Sequence, residues 1–288
     1  MKIPLISILW LLLALSPLGA EDRSETMTLY DIRHEREISL ADSLPRLADS
    51  RIILVGEHHS VMSHHQAQLD VIRSLEATGR PVSVGFEMFR SNATPSLDAW
   101  VNGQLSENAF KKIYFDNWNF PWSLYSMLFL HARDAGLPLV GLNVPRDITR
   151  QVAKHGFQSL SDQQRERLPM VTCEVDDAYM AFIKAAHGAH GHGGMNFTHF
   201  CEAQLVWDKA MAANAVEFLS TRPTTTLVII TGTGHARKGG IPTRISDISR
   251  MPYTVILPEI PGSIDRGTVT VDDADYLIVG LDPTPINP

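Results

Sequence analysis

The chain has 288 residues, of which 44% are hydrophobic and 20% charged, and a formal net charge of −7. This composition is that of a globular protein and excludes a collagen-like, a disordered or a disulfide-framework chain. The acidic balance argues against a nucleic-acid binder, because such proteins cluster Lys and Arg to neutralise phosphates. At roughly 150 residues per domain, the length allows one large domain with an insertion or two smaller domains.

The first twenty residues have the outline of a secretory signal peptide. Lys2 is followed by an apolar run over residues 3–15 and then by Ser-Pro-Leu-Gly before Ala20, where Leu18 stands at a position that is more often small. Because this run is shorter than the ~20 residues of a membrane-spanning helix, the pattern favours a cleaved signal over an anchor. We therefore expect residues 1–20 to be removed, residues 21–288 to be exported, and no later segment to span a membrane.

The chain has two cysteines, Cys173 and Cys201. Export would bring them into an oxidising compartment, where a disulfide persists. The sequence carries no sign that they are close in the fold. Two interpretations therefore stay open, a disulfide and a pair of small buried side chains, and we favour the second.

Short β-branched runs alternate with helix-length amphipathic segments, which is typical of an α/β fold with a mostly parallel sheet flanked by helices. Strands are predicted at residues 51–55, 82–86, 137–142, 226–230, 253–257 and 276–279, and helices at about 62–76 and 122–135. Between the third and fourth strands, residues 145–225 have almost no strand signal. We predict that this block is a helical subdomain inserted into the α/β domain.

Polar side chains follow the predicted strands at the point where each strand ends. Glu57 and His59 follow the first strand, Glu87 the second, Asn143 the third and His235 the fourth. The carboxyl ends of parallel strands meet at one edge of a sheet, where ligand crevices form. We therefore expect these groups to converge in one pocket.

Two chemistries suit this set of residues. Carboxylates and imidazoles are ligands of divalent metals. With His65, which lies at the start of the helix after the first strand, this predicts a metal site of Glu57, His59, His65 and His235. The same groups suit general acid–base catalysis, with Glu57 or Glu87 as the general base of a metal-dependent hydrolase. Each group taken alone is also explained as a helix cap or a surface turn.

A glycine-containing segment carries three imidazoles within six positions, those of His187, His190 and His192. Such segments bind transition metals or haem iron, and a solvated turn is the alternative. Tyr179 lies two helical turns before His187, which places a phenol and an imidazole on the same helix face. Since Tyr and His are both axial ligands of haem iron, these four residues are candidate haem ligands.

Two further stretches have two interpretations each. Asp208 shares one helix face with Gln204, Trp207 and Met211, which is either a pocket wall or a core face with an internal hydrogen bond. The aromatic residues between positions 114 and 122 either line an apolar cavity or belong to the core, and we favour the core.

Taken together, the motifs resemble those of the ChaN family of haem-binding uptake proteins, within the Tiki/TraB/erythromycin-esterase superfamily. The strings that carry the resemblance are VGEHH at residues 55–59, HHQ at 64–66, GFEMF at 85–89, LNVPR at 142–146, AQLVWDKAMA at 203–212, GTGH at 232–235 and GIP at 240–242. In two respects the chain departs from the family pattern. It lacks the lipobox cysteine that many members carry, and Ser60 stands where an Asp is common.

The resemblance implies a bacterial envelope protein of haem or iron acquisition, with haem held between the subunits of a homodimer and envelope haem-uptake components as partners. The missing lipobox favours a periplasmic or secreted form. The wider superfamily also contains hydrolases that use the same Glu and His positions. The sequence thus predicts an envelope haem-binding protein, with a metal-dependent hydrolase as the alternative.

Overall fold

The computed structural model describes residues 27–166, 168, 173, 177, 179–181, 183–184 and 196–286. Within these residues one sheet is formed by β1 (Thr28–Asp31), β2 (Arg36–Ser39), β3 (Ile52–Glu57), β4 (Val82–Arg90), β5 (Leu139–Asn143), β6 (Thr226–Gly232), β7 (Tyr253–Pro258) and β8 (Tyr276–Ile278). The strand order is β2-β1-β8-β7-β3-β6-β4-β5. Strands β3 to β8 run parallel, and β1 and β2 add an antiparallel hairpin at one edge.

Helices cover both faces of this sheet. They are α1 (Leu40–Leu47), α2 (Met62–Ala77), α3 (Thr94–Val101), α4 (Glu107–Asn117), α5 (Trp122–Ala135), α6 (Arg146–His155), α7 (Asp162–Arg165), α8 (Phe197–Ser220), α9 (Thr233–Ala236) and α10 (Ile241–Ile248). Successive side chains of β3 point to opposite faces of the sheet and enter two separate cores. Ile53 and Val55 join a core beneath α2 to α5, whereas Ile52 and Leu54 join a core beneath α8 and α10.

The predicted α/β fold, a mostly parallel sheet flanked by helices, is confirmed. Burial on both faces makes the central strands continuous apolar runs, which is why β3 to β8 were visible in the sequence. The hairpin of β1 and β2 was not predicted. Its strands have four residues each, and β2 is largely solvent-facing, so neither carries a long apolar signal.

The described residues between positions 145 and 225 form α6, α7, α8 and a 3₁₀ turn at Phe157–Ser159. Residues of α6, α8 and the 3₁₀ turn share a third core that includes Val152, Phe157 and Val206. Cys173 is joined to Cys201 of α8 by a disulfide with a Cα–Cα distance of 5.7 Å. The favoured interpretation of two unpaired cysteines was therefore wrong, because the fold brings together positions 28 residues apart.

The predicted signal peptide, residues 1–20, lies outside the described residues. In the part of the chain that the structure describes, no helix has both the length and the apolar character needed to cross a membrane.

Gly141 of β5 lies against the backbone of β4, where the pairing of the two strands shifts between Phe86 and Arg90. A Cβ at Gly141 would stand 2.2 Å from the carbonyl oxygen of Arg90 and 3.1 Å from that of Phe89. Neither atom belongs to a flexible side chain. The absence of a side chain at Gly141 thus permits β5 to approach the strand that carries Glu87 and Arg90.

We expect Gly141→Ala to lower the free energy of unfolding by about 2 kcal/mol or more, because β4 and β5 must separate to admit the methyl group. Urea denaturation measures this change. The control is Gly267→Ala, where the Cβ would meet only Asp265 Oδ1 at 3.4 Å. Equal losses in the two variants would contradict the close approach of the strands.

Candidate functional site

The carboxyl-terminal edge of the sheet collects most of the polar residues expected there. Glu57 ends β3, Glu87 lies near the end of β4, and His235 lies in α9 directly after β6. Because β3, β4 and β6 are adjacent and parallel, the three positions are neighbours in space. Two hydrogen-bonded clusters result, one around Glu57 and one around Glu87.

The first cluster is built on the buried carboxylate of Glu57. Oε1 accepts hydrogen bonds from the hydroxyl of Tyr125 at 2.5 Å and from Nδ1 of His59 at 2.7 Å. Oε2 lies 2.8 Å from Nδ1 of His65. Although burial alone would raise it, the charge of His65 and the hydrogen bond from His59 lower the pKa of Glu57 well below its ordinary value.

His65 forms a buried ion pair with Glu57. Its Nδ1 faces both that carboxylate and Oε1 of Gln68 at 3.1 Å, while its Nε2 faces the carbonyl oxygen of His59 at 3.2 Å. Gln68 donates its amide to the carbonyl of Val55, which turns its oxygen towards His65. Both ring nitrogens therefore meet acceptors, and an imidazole with two donors is a cation. Burial opposes this charge, but Glu57 raises the pKa of His65.

The second cluster is a chain of four side chains that ends at Glu87. The hydroxyl of Tyr179 donates to Oδ2 of Asp208, and Oδ1 of Asp208 accepts from Nδ1 of His235 at 2.6 Å. Nε2 of His235 lies 3.9 Å from Oε1 of Glu87. The other oxygen of Glu87 accepts from the Thr231 hydroxyl at 2.6 Å and from the backbone N–H of Gly232 at 2.7 Å.

His59 stands between the two clusters and is the most accessible of their imidazoles, with 30% of its side chain exposed. Its ring packs against Trp118 at 5.0 Å and Phe120 at 5.1 Å between centroids. A Cβ at Gly232 would come within 3.0 Å of the His59 ring, so a glycine at this position permits the contact. The result is a half-open imidazole with aromatic rings beside it.

The predicted metal ligands have other partners in the structure. Glu57, His59 and His65 bond to one another, and His235 bonds to Asp208. Among the described residues, no group of three or more His, Cys, Asp or Glu side chains is arranged to hold a metal ion. The geometry thus gives no support to the divalent metal site or to the metal-dependent hydrolase built on it.

The predicted haem ligands have different outcomes. Tyr179 is buried and its hydroxyl is used by Asp208, so its phenol faces the interior of the protein. His187, His190 and His192 lie outside the described residues.

The sequence analysis missed Tyr125, which lies on an apolar helix face without any polar signal. Asp208 did carry a signal, a carboxylate on an otherwise apolar face, and the interpretation with an internal hydrogen bond fits its contacts.

Comparison with known proteins places the chain among haem-related proteins. The family model described as "Haem-binding uptake, Tiki superfamily, ChaN" matches residues 43–245. A ChaN of Campylobacter jejuni, solved as a case of cofacial haem binding, has a TM-score of 0.70 at 20% identity, covering 87% of this chain and 95% of its own. No curated relative matches the chain.

Two other solved structures are more distant. The type III effector HopBA1 has a TM-score of 0.49 at 13% identity, covering 83% of this chain and 91% of its own. An erythromycin esterase mutant, EreC, in its open conformation has a TM-score of 0.47 at 14% identity, covering 85% of this chain and 80% of its own.

The second cluster predicts a pH dependence of stability. Burial opposes protonation, but the carboxylates of Asp208 and Glu87 raise the pKa of His235 from 6.5 to about 9. A raised pKa stabilises the folded state fully below the unfolded value, and this contribution is lost as the pH rises through the folded value. We therefore expect His235 to contribute stability on the order of 3 kcal/mol that disappears between pH 6.5 and 9.

Urea denaturation across this pH range measures the effect. Asp208→Asn removes the first carboxylate and should flatten the decline of stability with pH. Tyr179→Phe is the matched control, because it removes the other hydrogen bond of Asp208 and leaves the charge in place. A decline in Asp208→Asn as steep as that of the unmodified protein would contradict the assignment.

Proposed function

This chain belongs to the ChaN family of haem-binding uptake proteins in the Tiki superfamily, and we propose that it binds haem at the carboxyl-terminal edge of its sheet. The observation that carries the proposal is the family match over residues 43–245. The shared fold with the Campylobacter jejuni ChaN supports it. Iron acquisition is the role that we infer for such binding.

The described residues at this edge fit a haem group. His59 gives its Nδ1 to the carboxylate of Glu57, which leaves Nε2 as the nitrogen that can bind iron. Metal-binding histidines commonly have such a carboxylate on the second nitrogen. Trp118 and Phe120 offer aromatic faces beside the imidazole for an apolar porphyrin. We propose His59 as a ligand that this chain can supply, while haem itself would supply the iron and its redox chemistry.

The ligands expected from the sequence remain part of the proposal. His187, His190 and His192 are candidate ligands on the sequence pattern alone. Tyr179 would have to give up its hydrogen bond to the buried Asp208 before its oxygen could reach iron. This cost makes the imidazoles the better candidates. We further propose that haem lies between two copies of the chain.

Haemin titration of the chain without residues 1–20 tests the proposal. We expect saturable binding at one haem per chain, a defined Soret shift and haem-dependent dimerisation in sedimentation. Loss of the iron ligand should change the position of the Soret band as well as the affinity. We expect that change in His59→Ala or in the triple alanine variant of His187, His190 and His192, and we expect the band to stay in place in Tyr179→Phe.

The control is His155→Ala, which removes an exposed imidazole from the end of α6. Its titration should match that of the unmodified chain. Absence of saturable binding by the unmodified chain would refute the proposed function. A band shift in Tyr179→Phe with both histidine variants unchanged would move the iron ligand to the phenol.

We also infer that the chain is exported to the periplasm or beyond. When the full chain is produced in a Gram-negative bacterium, mass spectrometry of the periplasmic fraction should find a protein that begins at Glu21. Alkylation should find Cys173 and Cys201 unreactive there, because they are bonded. A variant lacking residues 2–20 should stay in the cytoplasm, and an uncleaved full chain in the cytoplasm would contradict export.

A further inference from the structure

Three arginines gather at the same edge of the sheet as the candidate site. Arg90 ends β4, and Arg146 begins α6 shortly after β5. Both contact one residue, since Arg90 Nε donates to Oδ1 of Asn117 at 2.9 Å and Arg146 Nη2 donates to its carbonyl oxygen at 2.5 Å. Arg150 is exposed and lies one helical turn after Arg146, on the same face of α6. We call these three residues the arginine cluster.

The positive charge of the arginine cluster is not matched by carboxylates. Its hydrogen bonds go to neutral acceptors, which are the amide oxygens of Asn117 and Asn119 and the carbonyl oxygens of residues 116 and 117. Within the described chain, none of the three guanidinium groups has a carboxylate within ion-pair distance, although Asp116 and Asp147 are close in sequence. By contrast, Arg46 and Arg237 each pair with an aspartate.

Like charges held close together repel each other, and this repulsion is visible in the pKa of Arg146. Partial burial and the neighbouring charges of Arg150 and Arg90 lower the pKa of Arg146. An anion bound between the guanidinium groups would offset this repulsion and accept several charge-assisted hydrogen bonds. The planar donor fork of arginine matches a carboxylate or a phosphate.

The arginine cluster is connected to the half-open imidazole of His59 through residues 117–119. Asn117 and Asn119, which hold two of the arginines, flank Trp118 in the sequence. The ring of Trp118 in turn packs against His59 at 5.0 Å. One short segment thus joins the aromatic side of the site to the cationic side.

We propose that the arginine cluster is an anion-binding site that takes carboxylate groups, specifically the two propionates of a haem bound beside His59. This assignment of the ligand rests on the proposed function. A free carboxylate or phosphate is a second source of the same chemistry. The charges of the cluster would then orient the porphyrin, with its apolar part towards Trp118 and its carboxylates towards the arginines.

Titration with haemin and with its dimethyl ester tests the proposal, because the ester keeps the iron and the ring but loses both carboxylate charges. We expect the unmodified chain to bind haemin about tenfold or more tightly than the ester. In the double variant Arg146→Gln with Arg150→Gln, affinity for haemin should fall by about tenfold while affinity for the ester is retained.

Two controls accompany this comparison. Lys154→Gln removes an exposed cation from the same helix and should leave both affinities unchanged. Arg150→Gln alone changes an exposed side chain that contributes little to folding, so it should reproduce part of the loss in a stable protein. Equal haemin affinities of the double variant and the Lys154→Gln control would overturn the assignment of the propionates.

A second measurement keeps the anion site testable without haem. The midpoint of thermal unfolding is compared in inorganic phosphate and in sodium chloride of equal ionic strength. A rise of about 2 °C or more in phosphate for the unmodified chain and Lys154→Gln, but not for the double variant, supports an anion site. With no haemin binding, this result would refute the proposed function and keep the site for a free anion. No difference between the variants in either measurement would overturn the site itself.

Discussion

The buried carboxylate of Glu57 is the constraint on which the edge of the sheet depends. A charge in this position is unfavourable by several kcal/mol unless cationic and hydrogen-bonding partners surround it. Here His65 comes from α2, Tyr125 from α5 and His59 from the loop after β3. One carboxylate therefore fixes two helices and a loop against the end of a central strand, and it also engages Nδ1 of His59 and leaves Nε2 for another partner.

The cluster around Glu87 repeats this logic with other elements. Glu87 receives two donors from the end of β6, and His235 is oriented by Asp208 of α8. Asp208 also holds Tyr179, so the helical region between β5 and β6 is tied to the sheet edge through buried polar contacts. Glu57 and Asp208 thus each hold an imidazole in place by a direct hydrogen bond. Burial opposes protonation of His59, but Glu57 and Glu87 raise its pKa against that burial and against the charge of His235, so the two clusters are electrostatically coupled.

The sequence was sufficient for the parallel strands and for placing Glu57 and Glu87 at one edge, because apolar runs and strand direction determine both. The sequence was insufficient to predict which side chains bond to these carboxylates and to each other. Tyr125 lies on a helix whose pattern reports only burial, and the pairing of Cys173 with Cys201 depends on how α8 packs. The metal site was predicted from residue types, which do not reveal that Glu57 and His65 neutralise each other. Which side chains form an ion pair or a disulfide depends on the directions in which they point, and these directions are set only by the packing of the fold.

The edge of the sheet has a cationic side and an apolar side, and their arrangement favours one orientation of a bound ligand. The whole chain carries a net charge of −7, so its surface repels anions at long range. The arginine cluster is a local exception that is held by neutral amides, and it therefore keeps its full attraction for an anion. Aromatic rings beside His59 supply an apolar surface next to that charge. A ligand with an apolar body, a metal centre and carboxylate groups matches all three features, whereas a small anion matches the arginines alone.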